Sequence, residues 1–266
     1  MLFDAFWLSV LMKMAAAAVV VIIASTVAER AGPYLGGLIA ALPVSAGPAY
    51  VFLAIQTNDA FVGQSALGSV AGNAATALFL LVYCRLGPTR SLAVTLGGAV
   101  AAWLAAAAVI REIPWTAWTA LPFSAAVYVA CIRLSARVDM HLKPARLRRR
   151  WFDLPARALL VGTLVATVVT VSQAIGPAAT GIAASFPVSL TSIGVIVHSR
   201  LGGPTAAAAM ASAIRGMLGL VVGLWILHLT AVPLGSAWAM LLALATCFAW
   251  SGVILVMRRR AARARP

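Results

Sequence analysis

Arg215 lies ten residues past Thr205 in an unbroken apolar run, TAAAAMASAIRGMLGLVVGLWILHL, spanning 205–229. At 1.5 Å per residue that is roughly 15 Å into a hydrocarbon layer about 30 Å thick. An arginine at that depth costs about 2.5–3.5 kcal/mol on insertion scales. No Asp or Glu falls inside any apolar run to neutralise it. The partners on offer are helix-end carbonyls, Ser45, Ser189, Asn73, Gln64 or a bound anion. The chemistry expected of such a residue is recognition of an anionic group; the competing role is capping the carbonyls of a broken helix.

Two prolines supply such breaks. Pro43 and Pro187 each stand about a dozen residues into an apolar run. Each deletes one backbone hydrogen bond and crowds the carbonyl four residues back, Ile39 or Ala183. In hydrocarbon the freed groups need partners. Ser45 and Ser189, two residues on, are placed to supply one each, and Thr191 and Ser192 follow in the second run. Discontinuous helices whose inner ends frame a ligand are the functional expectation.

The prolines belong to a repeat. GPYLGGLIAALPVSAGPAYVFLAIQ (32–56) and GPAATGIAASFPVSLTSIGVIVHSR (176–200) align at an offset of 144 without a gap. They share Gly32/Gly176, Pro33/Pro177, Gly37/Gly181, Ala40/Ala184, Pro43/Pro187, Val44/Val188, Ser45/Ser189 and Val51/Val195. The offset also pairs Lys13 with Arg157, Thr26 with Thr170 and Gly72 with Gly216. Arg215 falls on Ala71, so the site it would form is asymmetric. Gly68/Gly72 and Ser212/Gly216 give each copy a small-xxx-small face for close helix approach.

Composition sets the solvent. The chain is 63% apolar with mean hydropathy +1.00, which excludes a soluble domain. Runs of about 20 apolar residues predict an all-α integral membrane protein with nine spans at 7–28, 32–56, 61–84, 91–110, 115–134, 157–175, 178–198, 205–229 and 234–256. The +14 charge is explained by topology rather than by nucleic acid, which is not an expected partner. The segment from Arg133 to Arg157 and the tail from Arg258 to Arg265 hold most of the basic residues, and both are predicted cytosolic. The N-terminus is then periplasmic and the C-terminus cytosolic, in what the Arg- and Ala-rich usage suggests is a bacterial inner membrane. Trp115, Trp118 and Trp238 fall at the outer interface.

Equivalent points of the two copies are five spans apart, an odd number, so the second copy is predicted to enter the membrane inverted. The expected organisation is repeat unit 1 at 1–112, a connector helix with a basic loop at 113–155, inverted unit 2 at 156–256 and a basic tail at 257–266. Such 4 + 1 + 4 repeats meet near the midplane.

The remaining polar residues are read more plainly. Lys13 and Arg157 are expected to snorkel to opposite interfaces. His198 and His228 are expected to be solvated near span ends. Cys84, Cys131 and Cys247 show no metal spacing and read as small buried fillers. No Walker, GxSxG or HExxH motif and no paired carboxylates within a span are present, so neither an enzyme nor a cofactor is expected.

Each half resembles the small GlpM-type inner-membrane proteins. The resemblance is carried by the lysine of LMKMAAAAVVV, by YLGGLIAALPVS and by the 30-residue spacing from Lys13 to Pro43; Arg157, ATGIAASFPVS and Pro187 repeat it. It covers roughly 7–85 and 156–230, as in a fused, inverted pair. It implies an integral inner-membrane protein and names no substrate.

The function expected is that of a secondary transporter or flippase for a small organic anion or an anionic lipid headgroup. Arg215, Pro43, Ser45, Pro187, Ser189, Asn73, Thr191 and Ser192 would form its site. Membrane lipid is the expected partner, and a homo-oligomer is compatible with the sequence. The alternative is a non-transporting subunit of an envelope complex.

Overall fold

A computed structural model of the chain describes residues 2–30, 46–136 and 152–263. The elements are all helices: α1 (Leu2–Arg30), α2 (Ala46–Gln56), α3 (Asp59–Leu86), α4 (Leu92–Ile110), α5 (Ala117–Leu134), α6 (Asp153–Ala184), α7 (Val188–Leu201), α8 (Gly203–Leu234) and α9 (Ser236–Arg263). Six stretches are long and apolar enough to cross a membrane, with Asp153–Leu201 counted as one. This is the architecture expected where no water is available to satisfy the backbone. The segment 31–45, with Gly32, Pro33, Pro43 and Ser45, lies outside the described residues, as does the Arg146–Arg150 cluster.

α3 is the central helix. Within its most apolar stretch 83% of the residues are buried, against 17–44% in the other five. Asn58 starts it by accepting from the Phe61 N–H at 2.8 Å. Small residues let neighbours come close: a Cβ on Gly68 would overlap the Ala178 carbonyl, and one on Gly181 the Ser65 carbonyl. α1 lies along α6, where a Cβ on Gly162 would stand 3.0 Å from the Met14 carbonyl.

Three registers fix the depth of the site. α3 and α8 run antiparallel: the Cys84 thiol donates to the Ala207 carbonyl at 3.4 Å, and His228 Nδ1 donates to the Gly63 carbonyl at 2.8 Å. That register sets Thr76 level with Arg215, and Asn73–Ala74 level with Met217–Leu218. The end of α6 and α7 run parallel to α3: Ser69 meets Gly181, Thr76 meets Ser185 and Tyr83 meets His198. α7 and α8 form an antiparallel hairpin in which Gly194 packs against Met210. This places Ser189 level with Arg215.

α6 is two rods. Gly176 has φ 77°, ψ 168°, a backbone conformation that glycine tolerates, and Pro177 opens the second rod. The second rod stops at Ala184, and the chain turns through Ser185–Pro187 before α7 begins. The stretch expected as a discontinuous span at 178–198 is interrupted before Val188, at the proline the sequence singles out.

Polar clasps sit at the helix ends. Asp59 accepts from the Ser236 N–H at 2.8 Å and from its hydroxyl at 2.5 Å, tying the start of α3 to that of α9. Arg200 donates two bonds to Asp153, at 2.7 and 2.5 Å, tying the end of α7 to the start of α6.

Several side chains sit differently from expectation. Lys13 is 6% exposed rather than solvated, on the α1 face that also buries Ala17 and Val21. His198 and His228 are not simply solvated; they bond Tyr83 at 3.2 Å and Gly63. The three cysteines are buried free thiols, as expected.

Candidate functional site

The break at Ser185–Pro187 exposes carbonyls, and α3 supplies the donors. Thr76 donates to the Ser185 carbonyl at 2.7 Å, and Ser69 donates to the Gly181 carbonyl at 2.6 Å. The Ala183 carbonyl, four residues before Pro187, accepts instead from the Phe186 N–H at 3.1 Å. Ser189 was expected to donate to a freed carbonyl and does not; its hydroxyl is buried without a hydrogen-bond partner. Ser185, Thr191 and Ser192 all bond carbonyls of their own chain segment, so among the hydroxyls from 185 to 192 Ser189 alone is left over.

Arg215 is partly buried on α8 and folds back along its own helix, Nη1 lying 3.5 Å from the Ala211 carbonyl. Ala211 and Gly219, on its face, are buried, and Gly219 packs against Trp250 of α9. The backbone of Arg215 therefore shares its depth with Thr76, Ser189 and the helix break, and its guanidinium reaches from there toward Ala211. Two of the break's carbonyls, those of Gly181 and Ser185, are capped by α3 hydroxyls rather than by the arginine.

Asn73 serves packing. Its Nδ2 donates to the Ser69 carbonyl at 2.8 Å, and its Oδ1 accepts from the Tyr128 hydroxyl at 3.4 Å. The Tyr50 hydroxyl meets Ser69 at 2.7 Å, and Ser124 donates to the Val70 carbonyl at 2.5 Å. Sequence reasoning missed this network. Its signal was present: Ser65, Ser69, Asn73 and Thr76 recur every three to four residues, a polar stripe at helical spacing inside an apolar helix.

A second feature has no counterpart in the sequence reading. A chamber of about 640 Å³ opens between α1, α2, α8 and α9. Leu220 begins its α8 wall, five residues and about 7.5 Å of helix beyond Arg215. Its lining is apolar; the Tyr50 hydroxyl and the Cys247 thiol are both turned to protein partners, Ser69 and the Gly219 carbonyl.

No protein-family model, no curated protein and no solved structure matches this chain.

Proposed function

We propose that the chain is a secondary transporter or flippase of the bacterial inner membrane, moving a small organic anion or an anionic lipid headgroup by alternating access. Arg215 holds the anionic group, and Ser189 offers it a hydrogen bond from the neighbouring helix. One observation carries this reading. An intramembrane arginine stands level with a buried, unpartnered hydroxyl and with a helix break whose Gly181 and Ser185 carbonyls accept from α3 hydroxyls. Buried intramembrane charge of this kind marks substrate pathways.

The mechanism follows from the proposed inverted repeat of nine spans. Its support is the 144-residue offset together with the α3–α8 register. That register makes Asn73–Ala74 face Met217–Leu218, which are their own equivalents 144 positions on, near the middle of both helices. Two copies related in this way share an axis at mid-depth and can rock against each other there. The charge pattern favours a periplasmic N-terminus and a cytosolic C-terminus.

The second reading, a non-transporting membrane subunit, is favoured by the closure of the Tyr50–Ser69–Asn73–Tyr128 network upon itself. Reconstitution separates the two. The probe is fluorescent phosphatidylglycerol in proteoliposomes, with dithionite quenching reporting transfer between leaflets. Wild type should speed transfer, and Arg215→Gln should slow it at least tenfold while inserting normally. Equal rates for the two would remove Arg215 from the mechanism, and no acceleration by wild type would favour the subunit reading.

A further inference from the structure

We propose that the chamber between α1, α2, α8 and α9 holds one acyl chain of a membrane lipid. As the tail site of a transported amphiphile it rests on the function proposed above; as a chain-binding site it rests on the chamber's lining and on the 144-residue offset.

The packing argument uses the 144-residue offset. Gly223, Leu227 and Cys247 line the chamber. Their equivalents are Phe79, Tyr83 and Trp103, all buried aromatics. There the corresponding space is filled from within. Trp103 stacks edge-on against Phe186 at 5.0 Å between centroids, Phe79 meets Phe186 at 6.4 Å, and Phe79 meets Tyr83 at 6.4 Å. One side of the molecule plugs its wedge with four rings, and the other replaces three of them with glycine, leucine and cysteine. Two adjustments offset part of the loss. α9 comes in close at Gly219 and Gly223, and Tyr50 stands where Gly194 stands in the other half. Yet Ser69 holds the Tyr50 hydroxyl toward α3, and about 640 Å³ stays open.

The lining says what fills it. Water needs two to four polar partners, and both polar side-chain groups in the wall, the Tyr50 hydroxyl and the Cys247 thiol, are already engaged. Val51, Leu241 and Leu244, around the chamber, are exposed apolar side chains, so its mouth gives onto the lipid face. A helix from a second copy is too thick. At about 10 Å diameter, such a volume admits roughly one turn. A hydrocarbon chain from the surrounding bilayer fits the shape, the chemistry and the supply.

The test is photolabelling of the full-length protein in nanodiscs by phosphatidylglycerol carrying a diazirine in its tail. Labelled peptides from α8 and α9 are expected. A Cβ on Gly47, in the chamber wall, meets no atom within 4 Å, so the side chain of Gly47→Phe starts in open space at the chamber. Leu227→Tyr installs the residue of the other half. Each should cut α8/α9 labelling at least fivefold, whereas Gly97→Phe, at an equally open glycine of α4, should not. Unchanged labelling in both filling variants, with the protein still eluting as wild type, would overturn the proposal. So would cross-linking of a second copy at the chamber. The two readings fail separately. Arg215→Gln should keep the tail label whatever it does to transfer, so undiminished transfer in that variant sinks the transport reading and leaves the chain site standing.

Discussion

Thr76 donates its hydroxyl to the carbonyl of Ser185 across 2.7 Å, joining the middle of α3 to the break between α6 and α7. The partner that an interrupted membrane helix requires thus comes from a neighbour and not from the serine that follows the proline. Thr76→Val, of nearly equal shape, should lower stability by about 0.6–1.7 kcal/mol, the range for membrane hydrogen bonds. Thermal unfolding in detergent measures it, and Thr76→Ser should recover most of the loss.

Close approach of α3 and α6 depends on glycine. Gly181→Leu forces a side chain into the Ser65 carbonyl and should cost more than about 3 kcal/mol, seen as loss of the monodisperse gel-filtration peak. Gly97→Ala, where nothing lies within 4 Å, should change stability by no more than about 0.5 kcal/mol.

The Asp153–Arg200 clasp is largely shielded, with side chains 11% and 17% exposed. A double-mutant cycle with Asp153→Asn and Arg200→Gln should return a favourable coupling between the two side chains. A value near zero would mean that the bidentate geometry adds nothing to holding α6 and α7 together.

The aromatic plug makes a reciprocal prediction. Trp103→Ala removes a ring stacked on Phe186 and should cost about 3 kcal/mol. It should also open a second apolar chamber, so that the tail-diazirine lipid begins to label α3 and α4. Absence of new label in a folded variant would show that the two wedges are not equivalent.

Much of the fold could be read from the chain, for physical reasons that also mark where reading stopped. The span at 91–110 matches α4 (Leu92–Ile110) because its ends carry Arg90 and Arg111. The break at Pro187 followed from a missing N–H. The donors to its carbonyls did not, since a hydroxyl's partner depends on which helix lies beside it, and only packing decides that. Lys13 was expected at the interface because its long stem permits snorkelling; it is buried within the protein instead. The chamber was invisible because Gly, Leu and Cys in an apolar run look like ordinary filler until set against Phe79, Tyr83 and Trp103.

The most direct test of the antiparallel duplication is sided cysteine labelling. Single cysteines at positions 32 and 176, in a background with Cys84, Cys131 and Cys247 replaced by alanine, are challenged in intact cells with a membrane-impermeant maleimide. Position 176 should react from the periplasm, and position 32 only after the membrane is opened. Reaction of both from the same side would contradict the inverted arrangement and the mid-depth site built on it.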